Sequence, residues 1–183
     1  MIVTAARSMV TEGMSIITKK GDDGETDAMY GGRVSKLSPE VVACGAVDEL
    51  TSALGVVRIS GIPDDIEAQI DTVQDHLVSL MGMLSVPSEK RKKYLADGYP
   101  AVTEKEIDWL ETIAVEMPTK FDGWARPGAA GHAGAAWMDM ARTICRRAEL
   151  AAWRLGDTAS LESCRFLNRL SDILWLWARK LEK

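Results

Sequence analysis

The sequence is short of the residues on which most side-chain catalysis relies. It has two histidines, His76 and His132, in 183 residues. That is too sparse for a His/Cys metal centre, and no Ser–His or Cys–His nucleophile is evident. The three cysteines, Cys44, Cys145 and Cys164, are odd in number and none stands in Cys-x-x-Cys spacing. Each falls in an apolar helical pattern, so they read as small core residues in a reducing cytoplasm. No apolar run approaches the ~20 residues of a membrane span. The N-terminus lacks the apolar centre of a secretion signal. No segment alternates with period two for long enough to argue a sheet. Basic charge is not in excess: 22 Lys+Arg against 27 Asp+Glu give −5, which argues against a nucleic-acid surface. The one basic run, Lys90-Arg91-Lys92-Lys93, is expected in a solvated loop.

What is present describes a helical domain. The chain is 46% hydrophobic and 27% charged, enough apolar material for a core without disulfide or metal staples. Residues 1–14 read as a disordered extension, because Met14-Ser-Ile-Ile is an equally good start, and 15–183 as one domain. Residues 15–36 form a polar, glycine-rich loop after a short extended piece. Five helices follow. The first starts at Ser38-Pro39-Glu40, a capping residue, a proline suited to the first turn and an acid. Its stripe is Cys44, Val47, Leu50, Leu54 and Val57. The second carries Ile66, Ile70, Val73, Leu77, Leu80 and Leu84, and a polar loop runs from Val86 to Pro100. The third opens with a Thr103/Glu106 capping box under a Val102/Ile107 staple. The fourth follows a loop from Pro118 to about Gly134 and ends before Gly156. The fifth begins near Ser160, with Leu167, Leu170, Ile173, Leu174, Trp177 and Leu181 inward. The expected fold is all-α, an up-and-down five-helix bundle.

Three constellations interrupt the amphipathic pattern. Thr18-Lys-Lys-Gly-Asp-Asp-Gly-Glu-Thr26, continuing to Gly31-Gly-Arg-Val-Ser-Lys36, combines glycines with lysines and threonines. It is neither a Walker A loop nor an EF-hand; composition alone leaves it a phosphate cradle or a plain surface turn. In Arg142-Thr-Ile-Cys-Arg146-Arg147-Ala-Glu149, a helical step of about 100° puts Arg142, Arg146 and Glu149 on one stripe and turns Arg147 away. This is an anion clamp or an exposed salt-bridged face. Asn168, Asp172 and Trp175 share a stripe of the last helix, and Asp48-Glu49 interrupts the first. Buried, such polar groups need partners or a ligand. All six tryptophans lie in the second half; most are expected in the core, while Trp124 and Trp175 are placed to line a large flat ligand.

Taken in order, Thr18-Lys-x-Gly-Asp-x-Gly-x-Thr26, Gly45-Ala-Val-Asp-Glu-Leu50, Ala141-Arg-Thr-Ile-Cys-Arg-Arg-Ala-Glu149 and Phe166-Leu-Asn-Arg-Leu-Ser-Asp172 resemble the PduO-type ATP:cob(I)alamin adenosyltransferases. The resemblance runs from about residue 15 to 181. It implies a ferritin-like, homotrimeric bundle with active sites between subunits, ATP with Mg²⁺ as cosubstrate, and a corrinoid as acceptor. Residues 15–37 would be the ATP loop and 38–183 the bundle. Thr18, Lys19, Lys20, Gly21, Asp22, Gly24, Thr26, Asp27 and Lys36 match the loop's ATP contacts. Arg146, Arg147, Glu149, Leu150 and Asn168 match the helical ones, and Arg142 an arginine that pairs with Asp48. Arg142, Arg146, Asp48 and Glu149 are thus the implied catalytic set, with no metal ligated by side chains. Trp124 and Trp175 fall at phenylalanines that shape the corrin site. The implied chemistry suits a chain without a side-chain nucleophile: cobalt(I) attacks the ribose C5′ of ATP and triphosphate leaves. The protein orients ATP and stabilises the departing charge. A reductase and an adenosylcobalamin-dependent enzyme are the implied partners. The chain departs from the family pattern at Ala129, Asp139, Leu150, Trp124 and Trp175. Those departures leave room for a relative that binds ATP or corrinoid without catalysis. A purely structural bundle is the third reading.

Overall fold

The computed structural model describes residues 17–117 and 123–183. The proposed extension over residues 1–14 lies outside them, as do the first two residues of the extended piece and part of the loop after Pro118. Among the described residues there are six α-helices: α1 (Pro39–Arg58), α2 (Asp64–Leu84), α3 (Arg91–Ala96), α4 (Glu104–Glu116), α5 (Ala133–Trp153) and α6 (Leu161–Leu181). Five are the expected ones. The sixth, α3, is a short helix in the segment expected as a polar loop. It holds Arg91, Lys92 and Lys93 of the basic run, with Lys90 in the 3₁₀ turn before it. The run is thus structured: Lys93 bonds Asp97 at 2.8 Å one helical turn on, and Arg91 donates to the Thr158 carbonyl. Tyr94 on α3 is buried with Met83 and Val86 in a small satellite core, which is why this segment folds back.

A second difference is a two-stranded antiparallel hairpin, β1 (Glu25–Asp27) and β2 (Arg33–Ser35), within the loop before α1. Three residues per strand are too few for a period-two pattern to register in sequence. The turn needs Gly31 and Gly32, at φ 83° and 86°, where other residues are strained.

The helix boundaries follow local chemistry. The Ser38 side chain accepts from the Val41 amide, and Pro39 opens α1. The Thr103/Glu106 capping box forms in full, over buried Val102 and Ile107. His132 caps α5 through Nδ1, accepting from the Ala135 amide at 3.2 Å. Gly156, at φ 57°, closes the turn after α5. The predicted stripes of α1, α2 and α6 form the core, except that Cys44 and Leu181 are only partly buried. α5 packs most extensively, against α6 and α1, while α2 lies on α1 and α4 on α6.

Of the six tryptophans, only Trp177 is fully buried; Trp124, Trp137 and Trp153 are exposed. The expectation that most line the core is thus corrected, since exposed rings lie along α5 and in the loop before it. His76 sits edge-on to Trp109 and Phe166, with centroids 5.5 and 5.9 Å away. Desolvation holds its pKa below the usual 6.5, against the pull of Glu106 and Asp75.

Two expectations follow. Burial raises the thiols of Cys44 and Cys164 to about 11 and pushes Cys145 up further. Native protein at pH 8 should therefore react negligibly with a disulfide reagent, and unfolding should release three thiols; rapid labelling of the native state would contradict this. As pH falls, the unfolded His76 takes up its proton before the folded one. The stability it supports is therefore present above 6.5 and lost below it. His76→Phe should flatten the fall in melting temperature between about pH 7 and about pH 5.5; an unaltered slope would assign that fall to other groups.

Candidate active site

The hairpin loop is organised by one arginine. Arg33 lies opposite Asp27 in the ladder. It reaches Asp23 at 2.7 Å, Glu25 at 3.0 Å and Asp27 at 3.5 Å, and donates to the Lys20 carbonyl at 2.6 Å. A backbone hydrogen bond from Glu25 is the largest influence holding Asp23 below the usual carboxylate range, and Arg33 adds to it. Lys19 adopts φ 58°, and Gly24, at φ 81°, returns the chain to the ladder. The Lys36 amide bonds the Gly24 carbonyl at 2.9 Å, and Lys36 Nζ bonds the Gly21 carbonyl at 2.6 Å. These ties shape a cavity of about 450 Å³ lined by Thr18, Lys20, Gly21, Glu25, Thr26, Asp27, Arg33 and Lys36. Six of the nine loop residues expected from sequence line it; Lys19, Asp22 and Gly24 shape the loop around it. Among the described residues, Lys20 and Lys36 have no carboxylate partner, so both ammonium charges remain available to an anion.

The α5 residues divide between two other places. Arg146, Arg147 and Leu150 line a groove of about 550 Å³ between α1 and α5, with Val42, Gly45, Glu49 and Arg154. Arg147 does not turn away from Arg146: it reaches across to Glu49 on α1. Arg146 has no ion-pair partner among the described residues. Arg142 instead faces a small pocket of about 110 Å³ with Trp124, Ala125, Asp139, Trp175 and Arg179. Within one chain the expected Arg142–Asp48 pair does not form. Arg142 Nε bonds Asp139 at 3.2 Å, on its own helix, and Asp48 is exposed on α1. Glu149 accepts from Asn168 Nδ2 at 3.3 Å, bridging α5 to α6. Asn168 and Asp172 are exposed rather than inward; Asp172 pairs with Arg169 at 3.2 Å.

One chain therefore spreads many of the expected residues over three separate cavities, while Asp48, Glu149 and Asn168 line none of them. Sequence reasoning missed Arg33, whose signal was a cation directly after Gly31-Gly32 and a few residues beyond the acids Asp23, Glu25 and Asp27. It also missed Glu49, Arg154 and Arg179, which only the packing of α1, α5 and α6 brings to these sites.

The cobalamin adenosyltransferase family description matches residues 16–181. The chain belongs to the cobalamin adenosyltransferase family. It is 36% identical over 175 residues to a cobalamin adenosyltransferase of Cupriavidus metallidurans, covering 92% of this chain and 88% of that one. It is 35% identical over 176 residues to the corrinoid adenosyltransferase of Bacillus subtilis, covering 91% and 86%. A variant PduO-type ATP:corrinoid adenosyltransferase from Lactobacillus reuteri, solved with cobalamin and ATP, superposes with TM-score 0.79 at 27% identity, over 90% of this chain and 92% of that one. As an adenosyltransferase, the chain carries the family's helical fold with the hairpin loop forming a polar concave feature.

A Cβ at position 21 would stand 2.6 Å from Lys36 Nζ, at the movable end of that side chain. Gly21→Ala should therefore displace the ammonium without unfolding the bundle. It should weaken binding of inorganic triphosphate by about five-fold or more, read by calorimetry. Unaltered affinity would remove Lys36 from the anion site.

Proposed function

We propose that this adenosyltransferase transfers the 5′-deoxyadenosyl group of ATP to the cobalt of cob(I)alamin, releasing triphosphate. The observation that carries the reading is the hairpin cavity: two lysines without acidic partners over a glycine turn, in a chain of this family. Lys20 and Lys36 would take phosphate oxygens, and Thr18 and Thr26 would supply hydroxyls. Glu25 and Asp27, in the same cavity, would face a Mg²⁺ carried by the phosphates. Arg146 would neutralise charge on the leaving triphosphate, and Glu149 and Asn168 would fix the adenosine end of the helical site. Trp124 and Trp175 would border the corrin.

The division of these residues among separate cavities supports a site completed by more than one copy, and we take the assembly to be a homotrimer. Exposed Trp137, Met140, Leu150 and Trp153 on α5, with Val42 and Val56 on α1, give the apolar surface such an assembly would cover. An Arg142–Asp48 pair would then require Asp48 from another copy. A reductase and an adenosylcobalamin-dependent enzyme remain the expected partners. The cytoplasm is the compartment that keeps three unpaired cysteines reduced. The five departures from the family pattern motivate one alternative, a relative that binds ATP or corrinoid and delivers or senses it.

The deciding experiment is an anaerobic assay with ATP, Mg²⁺ and chemically reduced cobalamin, following formation of light-sensitive adenosylcobalamin. Wild type should form product, and Arg146→Ala should lower kcat/KM by about 100-fold or more. Absence of product, with ATP still raising the melting temperature, would favour the non-catalytic relative.

A further inference from the structure

Beneath Trp175 lies a group of four charges, Asp139 and Arg179 buried and Arg142 and Glu182 partly buried, in which Arg179 and Glu182 have no role in the binding assignments. Asp139, on α5, is 2% exposed and shares its carboxylate between two arginines. Oδ1 accepts from Arg142 Nε at 3.2 Å and Oδ2 from Arg179 Nη2 at 2.5 Å. Arg179, on α6 and 8% exposed, also donates from Nη2 to Glu182 Oε1 at 3.0 Å. Its Nε lies 2.6 Å from Glu182 Oε2, close enough for charge attraction but out of line for a hydrogen bond. The guanidinium carbon stands 5.6 Å from the centre of the Trp175 ring. Trp175, Arg142, Asp139 and Arg179 all line the small pocket below Trp124.

Two cations and two anions make this cluster locally neutral. A buried ion pair contributes little net stability over apolar packing of the same volume, so stability alone does not account for it. Its geometry does something packing cannot. Arg179 is held from two sides by carboxylates, and a cation fixed in this way attracts the face of the indole beside it. The same Asp139 carboxylate engages Arg142 through Nε only, leaving the Nη groups of Arg142 free of that bond.

We propose that Arg179, anchored by Asp139 and Glu182, is a positioning residue that fixes the Trp175 ring at the corrin-facing pocket and, through the shared Asp139 carboxylate, sets Arg142 beside it. The proposal rests on the reading of Trp175 as corrin-facing. Arg179 touches neither substrate; it acts through the ring. Its effect therefore falls on how the corrinoid is held rather than on how ATP is held.

The test compares full-length wild type, Arg179→Met and Arg179→Lys. Two readouts are taken: the ATP-dependent spectral change that accompanies loss of the lower axial ligand of cob(II)alamin, and separate KM values for corrinoid and ATP. Arg179→Met should cut the spectral response about five-fold and raise the corrinoid KM about ten-fold, with the ATP KM within about two-fold of wild type. Arg179→Lys, which keeps a cation opposite Asp139, should recover most of the response. A wild-type response in Arg179→Met overturns the proposal. So does a parallel rise of both KM values with a lowered melting temperature, the mark of a structural role only. Should Arg179→Met fail to fold, the isosteric Asp139→Asn decides: a weakened response supports the brace and an undiminished one overturns it. Wild-type protein that shows no corrinoid response overturns the corrin reading itself, and the brace falls with it.

Discussion

The structure depends on how closely α5 can be enclosed. Its buried face is built mainly of small residues: Gly134, Ala135, Ala141, Cys145, Ala148, Ala151 and Ala152. A Cβ on Gly134 would stand 2.7 Å from Ile62 Cγ2, so even one added carbon is resisted at its first turn. Small side chains let α1 and α6 approach from two sides and fix the rotation of α5. That rotation decides where every functional side chain of the helix emerges. Arg146, Arg147 and Leu150 emerge toward α1, whereas Asp139, Arg142 and Glu149 meet partners on α6 or the pocket beside it.

Electrostatics then divides the labour. In the hairpin loop Arg33 neutralises Asp23, Glu25 and Asp27, which frees the lysines from acids that would otherwise compete for them. On α5, Arg147 is matched by Glu49 and Arg142 by Asp139, while Arg146 is left unmatched. Lys20, Lys36 and Arg146 are left without a carboxylate partner among the described residues, although Lys36 donates to the Gly21 carbonyl. Paired arginines thus stand beside cations without carboxylate partners, at the hairpin as on the helix.

Much of this was legible in the sequence, and for physical reasons. The five long helices announce themselves through core stripes such as Ile66, Ile70, Val73 and Leu77, and through caps at Ser38 and Thr103. The polar loop before α1 shows in its glycines and lysines. The hairpin was hidden because its strands are shorter than any periodic signal, and α3 because one buried ring, Tyr94, decides it. Within one chain Arg142 pairs with Asp139, three residues back on its own helix, a contact that the family resemblance, which pointed to Asp48, gave no reason to expect. The aromatic residues misled as well. A tryptophan on an exposed stripe, such as Trp137 or Trp153, looks in sequence like one in a core.

The shared carboxylate of Asp139 also bears on how this protein can change over generations. Removing that acid strands the buried Arg179 and the partly buried Arg142 at once, and removing Arg179 leaves Glu182 as well as Asp139 in excess. Positions 139, 142, 179 and 182 therefore do not vary independently: the order of substitution matters, and a step tolerated after a compensating change is deleterious before it. A helix surface without such a junction can drift residue by residue. This one is confined to paired moves, which makes the end of the bundle around Asp139 and Arg179 slower to remodel than its exposed face.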